Sequence, residues 1–164
     1  MAAIPDELRP RVGAPHIWYV ATTAADGAPH VSPMWVGIDG DTVLLNTSVG
    51  RVKERNLRRD PRVCLSHADP ADPYDRIQIH GRVTEFVEGP EADAVMDRLA
   101  RSYLGVERYE WIVPGERRVV LRIEPTRVRR VTGVEPLPSG APGAGHRPPS
   151  PRKTDGDSAD QGRP

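Results

Sequence analysis

Residues 46–66 read NTSVGRVKERNLRRDPRVCLS, and the reading of this stretch decides the fold. A strand-like run ends at Ser48, a basic segment carries Arg51, Lys53, Arg55, Arg58 and Arg59, and a second strand-like run begins at Arg62. Ser48 is placed to cap a helix that begins near Val49. Asp60 precedes Pro61 and is pushed out of helical geometry, which limits the helix to about two or three turns. A helix this short is marginal alone and needs packing or a ligand. The basic residues form either a solvated face or an anion site. Thr47, Ser48 and Gly50 place two hydroxyls and a flexible backbone just before the helix N-terminus, as a phosphate cradle would. Arg51 and Lys53 in its first turn are disfavoured by the dipole unless an anion answers them. Neither GxxxxGK[ST] nor GxGxxG is present, so this is not a Walker or dinucleotide fingerprint.

Upstream, HIWYVATTAADG (16–27) and APHVSPMWVGIDGDTVLLNTS (28–48) are rich in β-formers, and Asp39-Gly40 between two such runs signals a hairpin. Three antiparallel strands are expected there. Pro33 inside a strand-like run implies an edge or a bulge with free backbone groups. Met34 and Trp35 fall on opposite faces, each suited to core packing or to walling an aromatic site. Downstream, Val63–His67 predicts a short strand. DRIQIHGRVTEFVEG (75–89) predicts a longer one with Ile77, Ile79, Gly81 and Val83 on one face and Gln78, His80, Arg82 and Thr84 on the other. RRVVLRIEPTRVRRVTG (117–133) predicts the last, bent at Pro125. Ala92, Val95, Met96, Leu99 and Tyr103 recur at helical spacing after Pro90, which predicts a packed helix over 90–104. Several antiparallel strands, one packed helix and one short inserted helix indicate a small barrel or curled sheet.

The 164 residues and 37% apolar content suit one domain with an ordinary core. Basic and acidic residues balance at 23 each, so no global field draws the chain to nucleic acid or to an anionic membrane. The single cysteine, Cys64, excludes an internal disulfide framework and fits a reducing cytoplasm. No window approaches the roughly 18 apolar residues of a membrane span, and the N-terminus lacks a signal-peptide core. Residues 1–12 read as a loosely attached lead-in, 13–134 as the folded domain, and 135–164, rich in Pro, Gly, Ser and Asp, as a disordered tail that cannot repay its ordering entropy.

Other candidates carry less. Cys64 has no neighbouring base in the sequence and reads as a buried structural thiol. His67, Asp69, Asp72 and Asp75 sit in a Pro-spaced loop, so no metal site is expected. His80 suits a hydrogen-bonded structural role or contact with a ligand. Trp111 either covers a site or anchors its loop. No Ser-His-Asp set or paired-carboxylate site stands out, and no catalytic residue is assigned. That absence favours cofactor chemistry, in which the protein supplies orientation and electrostatics.

The run GAPHVSPMWVGIDGDTVLLNTSVGRVKERNLRRDPRVCLS followed by IQIHGRVTEF resembles the split β-barrel flavin- and deazaflavin-dependent proteins, the superfamily of the pyridoxamine 5′-phosphate oxidases. The element TxxxRxKxxNLxxDPRV, here Thr47, Arg51, Lys53, Asn56, Leu57, Asp60, Pro61, Arg62 and Val63, resembles its coenzyme F420-dependent reductase branch. The resemblance implies a mainly β split β-barrel, paired as a homodimer with two cofactor sites at the subunit interface. It places Thr47, Arg51 and Lys53 at phosphate-binding positions, Asn56 at the Asn of the motif, and Ser32, Pro33, Met34 and Trp35 along the cofactor ring. Asn46, Val52 and Gln78 complete the implied cofactor set. The implied activity is hydride transfer from reduced F420 to a small unsaturated or conjugated substrate. An FMN-dependent oxidase or reductase and a non-enzymatic cofactor carrier are the alternatives. The C-terminal Trp and Arg pattern of true pyridoxamine phosphate oxidases does not stand out, so that oxidation is not expected.

Overall fold

The structure is a computed structural model that describes residues 2–70 and 74–132. Seven strands form one antiparallel sheet: β1 (Trp18–Thr23), β2 (Pro29–Met34), β3 (Val36–Asp39), β4 (Thr42–Ser48), β5 (Arg62–Ala68), β6 (Arg76–Glu88) and β7 (Arg118–Val131). Their order across the sheet is β2-β1-β5-β6-β7-β4-β3. β2 and β3 are therefore opposite edges, yet a single residue, Trp35, joins them in the chain. Consecutive Cα atoms are about 3.8 Å apart, so the edges must meet and the sheet must curl on itself. Trp35 sits at that seam. The expected second strand is thus two, split where the chain crosses the seam.

The Asp39-Gly40 hairpin is present, with Gly40 at φ +58° between β3 and β4. Along β6 the predicted alternation holds, with Ile77, Ile79, Gly81 and Val83 buried. β7 bends as expected at Pro125, where the β6–β7 register shifts between His80 and Gly81. The curled sheet encloses Trp18, Val20, Leu45, Leu65, Ile77, Ile79, Leu121 and Ile123. Helix α3 (Pro90–Leu104) has the predicted bounds and lays Ala92, Val95 and Leu99 on Leu44 and Val120. Its last turn is fastened to the seam, because Tyr103 Oη accepts the Val36 N–H at 2.9 Å and donates to the His16 carbonyl at 2.7 Å.

Two expectations are corrected. The helix after β4, α2 (Val52–Arg59), starts later than Val49 and has Arg51, not Ser48, at its N-cap. Ser48 still pairs in the sheet with Arg118, and the chain first turns through Gly50 at φ +84°. The N-terminal segment is also not loose. Ile4, which precedes a 3-10 turn (Asp6–Leu8), Leu8 from that turn and Val12 from α1 (Arg9–Val12) are buried in the main core. The tail expected to be disordered lies outside the described residues, as does Asp72.

Charge ties this N-terminal segment to the barrel. Arg11 Nη1 lies 2.7 Å from Asp75 Oδ2, and Arg130 Nη2 lies 2.8 Å from the same oxygen. The hydrogen bond from Arg130, followed by that from Arg11, holds the Asp75 carboxyl at about 2. A depressed carboxylate contributes stability above its unfolded value near 3.9 and loses it as pH falls toward 2. Asp75→Asn is expected to unfold at lower urea than the parent at pH 6, with the gap narrowing by pH 3 and closing near pH 2. A gap independent of pH would assign the effect to packing.

Candidate cofactor site

β4 is buried on both faces, with Leu45 and Thr47 turned to the core and Leu44, Asn46 and Ser48 on the alternate face. On that alternate face a pocket of about 290 Å³ opens at the seam, lined by Ile17, Pro33, Met34, Trp35, Asn46, Met96, Leu99 and Tyr109. No lining residue is charged. Trp35 forms a rigid wall, stacked on Tyr103 at 5.0 Å between ring centroids and edged by Tyr109 at 6.3 Å. Asn46 is buried. Its Nδ2 donates to the Ala92 carbonyl at 2.7 Å, and its carbonyl oxygen has no partner among the described residues. A buried unpaired acceptor costs about 1–3 kcal/mol, which a ligand donor would recover.

A second pocket, of about 330 Å³, shares Met96 and Tyr109 with the first and adds Asp93, Asp97, Arg108, Ile112, Glu116 and Arg118. Glu116 links it to the basic helix. Its Oε1 accepts the Ser48 hydroxyl and Arg51 Nη2, the latter at 3.1 Å. The Ser48 hydroxyl, then Arg118 and Arg51, hold the Glu116 carboxyl below its ordinary range.

At the helix itself, Glu54 is buried and supplies an anion to the N-terminus by accepting the Gly50 N–H at 3.0 Å. It also pairs with Arg58, which lies over the Phe86 ring. Arg59 and Arg55 donate to the carbonyls of Thr23 and Gly50. The DPR part of the motif is a turn, in which Asp60 accepts the Arg62 guanidinium at 2.6 and 2.9 Å. Much of the basic run is thereby spent on the fold. Lys53 differs: it is half-buried, with no ion-pair partner among the described residues, and burial followed by the nearby Arg51 charge lowers its pKa. Arg51 spends one nitrogen on Glu116 and leaves its other N–H groups free among the described residues.

The structure groups the sequence-derived candidates unevenly. Pro33, Met34, Trp35 and Asn46 line one pocket, while Arg51, Val52 and Lys53 cluster at the start of α2. Ser32 Oγ is buried without a hydrogen-bond partner among the described residues. Thr47 is buried on the core side of β4, away from Asn46. Asn56 faces inward and donates to Thr22 Oγ1 at 3.0 Å, tying α2 to β1. Gln78 lies in the row Pro33–Tyr19–Ser66–Gln78, three strand spacings or about 14 Å from Pro33. That row is on the outer sheet face, with exposed Tyr19 and Val31 close by. Cys64, expected to be buried, is half-buried there, with Sγ 3.9 Å from His80 Nε2. Trp111 is exposed and meets the Tyr109 ring at 5.4 Å. His67 bonds the Ile17 carbonyl, and no metal-holding group of His, Cys, Asp or Glu occurs among the described residues. Glu116, Tyr109 and Met96 were missed. Nothing local marks Glu116, whereas Glu54 three residues after the N-cap is a recognisable capping signal.

A curled antiparallel sheet whose edges meet at one residue, with a helix packed outside it, defines a split β-barrel. Residues 4–132 match the family described as pyridoxamine 5′-phosphate oxidase, and the chain belongs to that family, whose fold is of oxidoreductase type. Among solved structures it is similar to an F420 reductase at 27% identity and a TM-score of 0.67, covering 77% of this chain and 98% of that one. It is also similar to the conserved hypothetical protein Rv2991 from Mycobacterium tuberculosis, at 26% identity and a TM-score of 0.65, covering 80% and 86%. The General Stress Protein 26 from Bacillus anthracis shares the fold at 19% identity and a TM-score of 0.57, covering 76% and 92%. No helix among the described residues is long and apolar enough to cross a membrane.

Proposed function

We propose that this protein is an F420-dependent reductase that acts on a small unsaturated or conjugated substrate. The observation that carries the reading is Lys53, a half-buried ammonium beside the open guanidinium of Arg51 with no carboxylate partner among the described residues. An unpaired, partly desolvated cation is costly, and a phosphate would offset that cost. Arg51 and Lys53 would hold the cofactor phosphate, and Pro33, Met34 and Trp35 would flank its ring in the uncharged pocket. The 27% identity to an F420 reductase over nearly all of that protein supports the choice of cofactor.

When bound, the deazaflavin supplies a hydride. The residues of the chain do the rest: Trp35, Met96 and Leu99 exclude water from the ring, and the Asn46 carbonyl is available to orient a ring N–H. Tyr109 carries the hydroxyl of the pocket lining, within the same enclosure. The outer face with Tyr19, Val31 and Gln78 is the surface on which we place a second copy, in a cytoplasmic homodimer with two such sites. Side-by-side titration with F420 and FMN tests the cofactor. F420 is expected to bind at least tenfold more tightly, because its longer acidic tail adds charge-assisted contacts. Equal or tighter FMN binding would move the reading to an FMN enzyme. Binding of F420 without oxidation of its reduced form by any of a panel of conjugated substrates would move it to a carrier.

A further inference from the structure

We propose that Glu116 is the positioning residue of the anion site: it holds Arg51 by one guanidinium nitrogen, leaves the others to a phosphate, and so sets the preference for a phosphorylated ligand. This rests on the function proposed above. The Glu116 side chain is 10% exposed and Arg51 59% exposed, so the carboxylate is the fixed partner and the guanidinium the movable one. Two further contacts fix it. Ser48, the last residue of β4, donates its hydroxyl to Oε1, and Arg118 Nη2 at the start of β7 lies 3.1 Å from Oε2. Arg118 is itself only 16% exposed, with its guanidinium carbon 4.8 Å above the Tyr109 ring. Paired strands β4 and β7 thus carry the post to which Arg51 is tied, Ser48 lying opposite Arg118 in register.

A carboxylate beside an anion site has two opposed effects. It can compete with phosphate for the arginine, or it can restrain the arginine so that less freedom is lost on binding. Here Arg51 and Arg118 both reach the Glu116 carboxylate, so the trio keeps a net positive charge with which to attract an anion. Only one Arg51 nitrogen is used, and the planar fork keeps its remaining donors for a second partner. Restraint therefore outweighs competition, and Glu116 strengthens phosphate binding. Its position is also apt for a ligand that spans both compartments, because Glu116 lines the polar pocket that adjoins the apolar one through Met96 and Tyr109.

The test titrates full-length protein with F420 and with the tail-less deazaflavin, which has the same ring and sugar alcohol but no phosphate. Glu116→Ala is expected to weaken F420 about tenfold and leave the tail-less ligand unchanged. Glu116→Gln keeps an oxygen that accepts from Ser48 and Arg51 and is expected to restore most of the loss. Arg51→Ala with Glu116→Ala should bind F420 no worse than Arg51→Ala alone, since the two residues act as a unit. Unchanged or tighter F420 binding in Glu116→Ala, an equal loss for both ligands, or additivity in the double variant would overturn the proposal. A wild-type protein that does not prefer F420 to the tail-less ligand would overturn the reading of the anion site itself. Wild-type preference with an unaffected Glu116→Ala overturns the role of Glu116 alone.

Discussion

Replacing both Arg51 and Lys53 with alanine is expected to weaken F420 binding about a hundredfold or more at low salt, with little change in the stability of the ligand-free protein. Each side chain would lose a charge-assisted contact with phosphate, worth roughly 1.5–3 kcal/mol, and each 1.4 kcal/mol is a factor of ten. The ligand-free protein gains and loses in nearly equal measure. Arg51 gives up a solvent-exposed ion pair with Glu116, an interaction of about 0–1 kcal/mol. Lys53 gives up nothing, because it is half-buried with no counter-charge among the described residues, and its removal relieves repulsion from Arg51 and from the helix dipole. Stability should stay within about half a kcal/mol. A solvated basic face predicts the same stability and no loss of affinity, so the titration decides between the two. Salt gives a second readout: wild-type affinity should fall more steeply with ionic strength than that of the double variant. Unchanged affinity at low salt would place the phosphate elsewhere on the barrel.

Gly81→Val is expected to destabilise the fold by about 3 kcal/mol or more, the upper range for overpacking a core. A Cβ at Gly81 would stand 2.6 Å from Ile123 Cγ2 and 2.8 Å from the Glu124 carbonyl oxygen. Neither neighbour can give easily. Ile123 is fully buried and pairs with both Val43 and Val83, so moving it disturbs the two strands that flank β7. The close approach follows from the bend at Pro125, where the register with β6 slips by a residue and the two backbones converge. Urea unfolding should show a lower midpoint with an unchanged slope. Ile123→Leu lacks a branch at Cβ and is expected to return part of the loss in a Gly81→Ala background. A Gly81→Ala variant within half a kcal/mol of the parent would refute the steric account.

Short-range pattern determined much of this protein. The spacing of Ala92, Val95, Met96, Leu99 and Tyr103 gave α3 its bounds, Asp39-Gly40 its hairpin, and the alternation from Ile77 to Val83 the inner face of β6. These features depend on residues within a turn or two of one another, where periodicity and backbone preference act directly. The motif from Thr47 to Val63 likewise carried the family. Tertiary structure decided what the pattern left open. Burial of the Asn56 and Leu57 face and the Glu54 cap assign most of α2 to packing, so that only Arg51 and Lys53 of its basic run remain for an anion. Ser48 looked like a helix cap because the residues after it are helical. Its hydroxyl goes instead to Glu116, 68 residues along the chain, since β4 continues through it beside β7. The seam is equally nonlocal: nothing near Trp35 announces that the strands on either side of it are opposite edges of the sheet. Which carboxylate reaches which cation, and which edges meet, is set by strand pairings between distant segments, where local propensity has no purchase and only the shared burial of the whole sheet selects the partner.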